Sequence, residues 1–261
     1  MALTDAPWSA VAGRVQQRII RPPGSAGHIV VAGRTGAGKD AMVRWGLLPA
    51  VPLARTVVLM TKRGIGEYGS DETWDGWGNL VAGPDALDPG FERGPDGTPR
   101  YRVPMPPGTD IRDVRRLLEG LAAVGSVIVV VGDTGRLTNP TRLGGYDCGQ
   151  ILTDAMREGR SLSLTVIALI QSTNYAAAGI KDQATAVMIG ASQGAASADF
   201  AEIAGIEKKT DAHRALKTIK PHEWILSDHL DGEINTYRAM APAPGWCSEA
   251  WPPPRIDWGR A

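Results

Sequence analysis

The 261-residue sequence has no excess of charge of either sign, because Lys+Arg and Asp+Glu both number 28. This balance excludes a nucleic-acid-binding protein that is basic over its whole surface, but it is compatible with a basic loop or pore lining. The sequence has only two cysteines, Cys148 and Cys247, which lie far apart and form no C-x-x-C pattern. They indicate ordinary thiols in a reducing compartment rather than a disulfide framework or a metal site.

Long apolar segments are also missing. The longest runs, residues 127–131 and 164–170, are far shorter than the roughly 20 residues of a membrane-spanning helix. The N-terminus has no basic start followed by an apolar stretch, so we predict no secretion signal. These absences predict a soluble cytoplasmic protein without direct membrane insertion.

Apolar residues make up 43% of the chain and charged residues 21%, which is ordinary globular usage. Apolar segments with the length of buried strands alternate with segments of helical periodicity, and this pattern predicts an α/β fold. We therefore expect a mostly parallel central sheet with helices on both faces and a ligand at the carboxyl ends of the strands. The predicted strands are 28–33, 56–62, 101–105, 127–133, 164–171, 185–191, 223–228 and 234–240, and the predicted helices are 9–20, 40–50, 110–125, 146–159, 198–205 and 210–217.

The composition changes along the chain and divides it into three parts. Residues 1–27 are predicted to form a helical arm, residues 28–240 the main domain, and residues 241–261 a tail rich in Pro and Trp. Residues 64–100 are rich in Gly and Pro and predict a long surface excursion. Its two tryptophans, Trp74 and Trp77, either pack locally or form an interface.

A phosphate-binding loop is predicted at the end of the first buried strand, where the sequence GRTGAGKD (33–40) matches the pattern G-x4-G-K. Glycines let successive backbone N–H groups point at phosphate oxygens, the following helix adds its positive end, and Lys39 neutralises phosphate charge. The alternative is a Gly-rich turn with an exposed lysine. We expect ATP to be bound by Gly33, Arg34, Thr35, Gly36, Ala37, Gly38, Lys39 and Asp40.

Two carboxylates are candidates for holding Mg²⁺. Asp133 ends a buried strand in the manner of a Walker B acid. Asp40 stands where such loops usually carry Ser or Thr, and its carboxylate can bind Mg²⁺ but adds negative charge beside the phosphates. Thr134 follows Asp133 where many such ATPases carry a catalytic Glu. Either hydrolysis is weak or another carboxylate polarises the attacking water, with Glu67, Asp154 and Glu158 as candidates.

Gln171 is the polar end of the predicted strand 164–171, and its carboxamide can hydrogen-bond both a γ-phosphate and a water. Arg157 and Arg160 come shortly before that strand. In a ring of subunits, such an arginine can reach the γ-phosphate of the neighbouring subunit. The alternative is that both are solvated cations at the end of a helix.

These motifs, taken in order, resemble the FtsK/HerA superfamily of DNA-translocating P-loop ATPases. The matching segments are GRTGAGKD, VVLMTKRG, VIVVVGD, GRSLSLTVIALIQSTN, KDQATAVMIGASQGAASADFAEIAG and HEWILSD, which together cover about residues 26–240. Gln171 stands at the position of the family's glutamine. The second segment has Met60-Thr61-Lys62 where the family has Asp-Pro-Lys.

The resemblance implies a RecA-like P-loop NTPase fold and a hexameric homo-oligomeric ring that hydrolyses ATP with Mg²⁺ and moves double-stranded DNA. We expect Lys39, Asp133, Gln171, Arg157 and Arg160 to be the catalytic residues. Candidate DNA contacts in the channel are Arg136, Arg142 and Lys181, unless these are solvated loop charges. The chain would act in genome packaging or in DNA transfer, with a portal, membrane or recruitment protein as a further partner.

Three other functions remain open from the sequence. The unusual residues at 40 and 134 suit a degenerate nucleotide-binding assembly protein with little hydrolysis. Residues 190–194 match the G-x-S-x-G pattern of α/β-hydrolases around Ser192, followed by Asp211 and by His213, His222 or His229. That interpretation leaves the phosphate loop unexplained. A small-molecule kinase would need an acceptor pocket or a lid, which the 64–100 excursion could supply.

Overall fold

The structure is a computed structural model. It describes residues 2–19, 27–51, 54–61, 73–91, 97, 99–106, 109–138, 149–159, 161, 163–172, 178–192, 195–230 and 233–241. Several predicted features lie outside these residues: Arg142, Arg160, Glu67, both cysteines and nearly all of the predicted tail.

The described chain contains ten strands and eight α-helices. The strands are β1 Leu3–Asp5, β2 His28–Ala32, β3 Arg55–Met60, β4 Asn79–Leu80, β5 Arg100–Pro104, β6 Val127–Val131, β7 Thr165–Ile170, β8 Ala184–Ile189, β9 Glu223–Leu230 and β10 Glu233–Met240. The helices are α1 Trp8–Ile19, α2 Lys39–Ala41, α3 Ile111–Val124, α4 Thr134–Thr138, α5 Gly149–Gly159, α6 Ala178–Asp182, α7 Ala195–Ile203 and α8 Asp211–Leu216. A π-helix, Met42–Leu47, and a 3-10 helix, Leu48–Ala50, continue α2.

All ten strands form one sheet in the order β1-β10-β9-β8-β2-β7-β6-β3-β5-β4. The seven strands from β8 to β4 are mutually parallel, and only β9 runs antiparallel to its neighbours. The predicted α/β class with a mostly parallel sheet is therefore confirmed. Strand β7 lies between β2 and β6, so the strand that ends at Gln171 separates the phosphate loop from Asp133.

Each face of the sheet carries its own hydrophobic core, and alternate residues of the central strands contribute to each. Val30 and Ala32 of β2 face the core formed with α3, α5, α7 and α8. Ile29 and Val31 of the same strand face the core formed with α1 and the helix after the phosphate loop. Because both faces are covered, the central strands are continuous apolar runs rather than alternating ones.

The residues between 73 and 91 correct the prediction of a surface excursion. Trp74 and Trp77 are buried in the second core, with ring centroids 5.3 Å apart in an edge-to-face arrangement. Strand β4 adds to the sheet beside β5. The two tryptophans thus pack within the chain, and this part of the predicted excursion belongs to the fold.

Two further predictions were wrong in detail. No helix is predicted between the strand 127–133 and the helix 146–159, but helix α4 begins directly at Thr134. The N-terminal arm contributes a strand as well as a helix, because β1 pairs with β10 at the edge of the sheet. Helix α1 is anchored to β9 by a buried ion pair between Arg18 and Asp228.

Helix α3 begins within one residue of the predicted start at 110, whereas α5 begins at Gly149, α7 begins at Ala195, and α6 was not predicted. Asp110 caps α3 by accepting a hydrogen bond from the backbone N–H of Arg112 at 2.8 Å. Hydrogen bonds from the side chain and backbone of Arg112 lower the pKa of Asp110 to about 2. Among the described residues, no helix combines the length and the apolar character needed to cross a membrane.

Candidate nucleotide-binding site

The phosphate loop leaves β2 at the carboxyl edge of the sheet and is tied to both neighbouring strands. The N–H of Gly33 donates to the carbonyl of Ile170 at the end of β7, at 3.2 Å. The N–H of Arg34 donates to the carbonyl of Ala191, just beyond β8, at 3.0 Å. These two bonds fix the base of the loop between the two strands.

Two glycines give the loop its shape. Gly36 and Gly38 both have a φ of +79°, which other residues rarely adopt. A Cβ atom at either position would meet no other atom within 4 Å, so the space around these residues is open. The N–H groups of Thr35, Gly36 and Gly38 have no protein acceptor among the described residues. The loop therefore presents donors toward open space, as an anion-binding loop requires.

Lys39 is held inside the loop. Its side chain is 4% exposed, and Nζ donates to the carbonyls of Gly33 at 2.8 Å and Arg34 at 3.0 Å. The ammonium group thus lies within the curve of the loop, where it adds positive charge to the N–H donors.

The helix that follows the loop is unusual because most of it is a π-helix. Only Lys39–Ala41 is α-helical before the π-helix Met42–Leu47 begins. Trp8 of α1 donates its indole N–H to the carbonyl of Gly46 at 3.1 Å. Its ring packs so closely that a Cβ at Gly46 would lie 2.6 Å from it. The N-terminal helix thus contacts the helix that carries the loop, and π-helical turns occur often at functional sites.

Gln171 joins the phosphate loop to Asp133. Its Oε1 accepts a hydrogen bond from Thr35 Oγ1 at 2.9 Å, and its Nε2 donates to Asp133 Oδ2 at 3.3 Å. This link crosses the carboxyl ends of β2, β7 and β6, which are consecutive in the sheet. Gln171 and Asp133 are both predicted from the sequence as site residues, and the structure brings them together. Thr35 belonged to the predicted loop, but its contact with Gln171 was not predicted.

Thr61 holds the backbone of Asp133. The Thr61 hydroxyl accepts a hydrogen bond from the N–H of Asp133 at 3.1 Å and lies 3.3 Å from its carbonyl oxygen. Both residues are at least nine-tenths buried. In the sequence, Thr61 stands out only as a departure from the Asp-Pro-Lys pattern. The position of Thr61 at the end of β3, next to β6, was the signal that could have identified it.

Asp40 has a partner that the sequence did not predict. The indole N–H of Trp74 donates to Asp40 Oδ1 at 3.1 Å. The same oxygen would lie 3.6 Å from a Cβ placed on Gly132, the residue before Asp133. Asp40 therefore lies against the end of β6, and its carboxylate is oriented by a tryptophan 34 residues further along the chain.

Other predicted site residues lie at the amino ends of the parallel strands, away from the phosphate loop. The carbonyl of Met156, next to Arg157, is 2.6 Å from Nε2 of His28 at the amino end of β2. Arg157 is exposed and forms a 3.6 Å ion pair with Asp154. Asp154 and Glu158 line a groove together with Arg115 and Glu119. Neither carboxylate is therefore brought to Asp133 within this chain.

Of the candidate DNA contacts, Arg136 and Lys181 are not brought together. Lys181 lies in α6, just before the amino end of β8, and is partly exposed. Arg136 lies in α4, three residues after Asp133 and thus at the carboxyl edge of the sheet. Lys181 thus lies at the amino ends of the parallel strands, whereas Arg136 lies at their carboxyl ends.

The residues of the hydrolase pattern have other partners. Ser192 Oγ is 2.9 Å from Ser197 Oγ, and Asp211 forms an ion pair with Arg214. His229 Nε2 lies 3.0 Å from the carbonyl oxygen of Ala204. Among the described residues, no Ser–His–Asp chain of hydrogen bonds links these side chains, so the structure gives the hydrolase interpretation no support.

The chain is similar to known proteins in its structure but not in its sequence. No protein-family profile matches the chain, and no curated protein sequence is similar to it. B204, the DNA-packaging ATPase from Sulfolobus turreted icosahedral virus, superposes with a TM-score of 0.59 at 13% identity, over 83% of this chain and 98% of that one. VirB4 of Thermoanaerobacter pseudethanolicus superposes with a TM-score of 0.56 at 9% identity, over 87% and 93% of the two chains.

A second B204, the genome-packaging NTPase from Sulfolobus turreted icosahedral virus 2, has been solved with ATP-gammaS. It superposes with a TM-score of 0.56 at 12% identity, over 82% of this chain and 98% of that one. These identities are low, and the likeness concerns the fold. The chain thus has the fold of P-loop packaging ATPases over most of its length, as the sequence motifs had indicated.

Proposed function

We propose that the protein binds and hydrolyses ATP with Mg²⁺ and uses the energy to move double-stranded DNA as a homo-oligomeric ring of the FtsK/HerA type. The observation that carries this proposal is the hydrogen-bonded link from Thr35 through Gln171 to Asp133, beside the loop that holds Lys39. It joins the loop that would hold the phosphates to the acid expected to hold the metal. Such a link is what a site that responds to the γ-phosphate needs.

The triphosphate would be bound by residues Gly33 to Asp40. The N–H groups of Thr35, Gly36 and Gly38 and the ammonium of Lys39 supply the positive charge that attracts the phosphates. The complex of B204 with ATP-gammaS supports a nucleotide as the ligand of this fold.

The carboxylates of Asp40 and Asp133 fit Mg²⁺, which is usually bound by one or two carboxylates together with phosphate oxygens and water. When bound, Mg²⁺ would neutralise charge that develops on the transferred phosphoryl group. Trp74 would orient Asp40 for this role, because its indole N–H occupies one carboxylate oxygen, Oδ1. Thr61 would fix Asp133 through its backbone.

The position of Arg157 supports the ring, and the structural similarity to B204 supports DNA as the substrate. Arg157 is exposed near the amino ends of the parallel strands, whereas the phosphate loop of the same chain lies at their carboxyl ends. Arg157 can therefore complete a nucleotide site only in another copy of the chain. B204 is described as a DNA-packaging ATPase, which favours double-stranded DNA as the substrate here. We expect a hexamer that acts in the cytoplasm, with a portal or recruitment protein as a further partner.

A degenerate nucleotide-binding assembly protein is the second candidate, and the environment of Thr134 favours it. Thr134 is fully buried, and its hydroxyl lies 3.4 Å from the carbonyl oxygen of Val131. It cannot act as the carboxylate base that often follows the Walker B acid. If this candidate is correct, replacing Asp40 by Ser should raise turnover, because Ser restores the usual metal-binding hydroxyl.

The test is ATP turnover by the purified protein with and without linear duplex DNA. Hydrolysis that DNA stimulates and that Lys39→Ala abolishes would support the motor, provided that the control Lys220→Ala behaves like the wild type. Lys220 is exposed and lies outside the phosphate loop. Tight ATP binding without turnover, with or without DNA, would instead favour the assembly protein. A mass measurement in the presence of nucleotide tests the ring.

A further inference from the structure

A second cationic region lies next to the nucleotide site, at the carboxyl end of β8. Helices α7 and α8 pack on the sheet through buried residues such as Phe200 and Leu216. Between them and Ser192 they leave an open cleft of about 830 Å³. Five basic side chains line it: Lys208, Lys209, His213, Arg214 and Lys217.

Charge is concentrated here in a chain that is neutral as a whole. Residues 206–220 contain five Lys or Arg residues but only two Asp or Glu residues, and four of the seven lysines of the chain lie in this segment. Such a concentration produces a local positive potential that the overall charge balance hides. None of these four lysines is predicted from the sequence as a site residue.

The lysines of the cleft and its arginine differ in whether a described acidic side chain pairs with them. Arg214 pairs with Asp211 and donates to the carbonyl of Lys209 at 2.9 Å, so it is held in place. Lys208, Lys209 and Lys217 form no ion pair with any described residue. Three like charges around one cleft repel one another, and an anionic ligand would relieve that repulsion.

The composition of the lining indicates which anion fits. Among the described residues that line the cleft there is no Phe, Tyr or Trp on which a base could stack. The lining instead offers ammonium groups, one imidazole and two serine hydroxyls, all of which contact phosphate oxygens well. A sugar–phosphate backbone therefore suits the cleft better than a nucleoside.

We infer that this cleft, lined by Lys208, Lys209, His213, Arg214 and Lys217, binds the phosphate backbone of double-stranded DNA without reading its sequence. The choice of DNA rests on the proposed function, whereas the site itself rests on the position and charge of the cleft. Neither Arg136 nor Lys181, the predicted channel residues that the structure describes, is among the residues that line this cleft.

The cleft has a direct structural connection to the phosphate loop. Ser192 lines the cleft, and the carbonyl of the preceding Ala191 accepts the hydrogen bond from Arg34 at the base of the loop. DNA bound in the cleft would therefore contact a segment that also supports the loop.

The experiment measures binding of a short, fluorescently labelled duplex of arbitrary sequence by anisotropy, over a series of salt concentrations and without ATP hydrolysis. The variant carries Lys208→Gln, Lys209→Gln and Lys217→Gln. We expect its DNA affinity to fall by about tenfold or more, and the slope of log K against log salt to decrease by about 0.9 for each lost phosphate contact.

Lys217→Glu and Lys220→Glu form a matched pair for the same assay. Both lysines are exposed and lie in one segment, but only Lys217 lines the cleft. We expect Lys217→Glu to weaken DNA binding and Lys220→Glu to leave it near the wild-type value. Thermal unfolding of each variant checks that the fold is retained.

Three outcomes would overturn the inference. If the triple variant binds duplex DNA like the wild type, the cleft is not a DNA site and the proposed motor is unaffected. If it loses ATP affinity but keeps DNA affinity, the cleft holds the nucleoside part of the nucleotide. If the wild type hydrolyses ATP but does not bind duplex DNA, both the cleft assignment and the DNA substrate are wrong, while the ATPase remains.

Discussion

The two carboxylates beside the phosphate loop are held in different ways. Asp133 is positioned by residues at the ends of neighbouring parallel strands, since Thr61 bonds its backbone and Gln171 its side chain. Asp40 begins the helix after the loop, and its side chain is bonded by Trp74, which comes from the segment between β3 and β5. One acid is supported by the sheet and the other by a core tryptophan outside it.

The two carboxylates therefore differ in what positions them: the order of the strands positions Asp133, and the packing of one segment positions Asp40. The ends of adjacent parallel strands meet at one edge of any such sheet, so Asp133 and Gln171 are brought together by topology alone. Trp74 reaches Asp40 only because residues 73–91 pack into the second core. We therefore expect the loss of the Asp133 carboxylate to lower ATP turnover more than the loss of the Asp40 carboxylate. We expect Trp74 to affect the affinity for Mg²⁺.

The largest expected effect is that of Asp133→Asn. The substitution removes the negative charge but keeps the size of the side chain and an acceptor for Gln171. We expect ATP turnover to fall on the order of 10²–10³-fold, because a charge directed at the reacting phosphate and its metal is lost. Steady-state hydrolysis at saturating ATP gives this number, and nucleotide binding without turnover shows whether the site is still formed.

Asp40→Asn is the matched comparison for that experiment. It makes the same chemical change on the other carboxylate, and we expect a smaller loss of turnover. If Asp40→Asn is the more damaging of the two, the ranking is reversed and Asp40 is the principal metal ligand.

Trp74→Phe tests the support of Asp40. Phenylalanine keeps an aromatic ring in the core but has no N–H to donate to Asp40 Oδ1. Removing a residue that orients a metal ligand usually weakens metal binding by about 10–100-fold. We expect a shift of this size in the Mg²⁺ concentration that half-saturates binding of a fluorescent, non-hydrolysable ATP analogue.

Trp77→Phe is its control. Trp77 is buried in the same core and packs edge-to-face against Trp74, but the bond to Asp40 comes from Trp74. The control should lose a similar amount of packing and leave the Mg²⁺ dependence unchanged. An equal shift in both variants would mean that the packing of the segment, and not the indole N–H, affects the metal.

The central sheet and one side of the site could be predicted from the sequence. Strands β2, β3, β6 and β7 are buried on both faces, so their continuous apolar runs identify them. The phosphate loop follows from the glycine spacing together with the strand before it and the helix after it. Gln171 and Asp133 follow from their positions at strand ends.

The other side of the site could not be predicted, because it depends on contacts between distant parts of the chain. Gly- and Pro-rich sequence around Trp74 and Trp77 resembles a surface loop, and nothing local indicates that the two rings enter the core. The cationic cleft combines residues from three segments with the end of β8. Strand β1 is three residues long and forms only because β10 offers an edge.

The smallest expected effect is that of Thr35→Val, which tests the other end of the link through Gln171. Valine has the shape of threonine but cannot donate to Gln171 Oε1, so Gln171 would keep its bond to Asp133 and lose its bond to the loop. A hydrogen bond of this kind contributes about 0.5–1.5 kcal/mol, which corresponds to roughly a 2- to 10-fold fall in turnover. Thr35→Ser retains the hydroxyl and should restore most of the activity. A loss of turnover as large as that of Asp133→Asn would mean that Thr35 acts on the nucleotide itself. The more important difference would then be the one between the phosphate loop and the strand ends, and not the one between the two carboxylates.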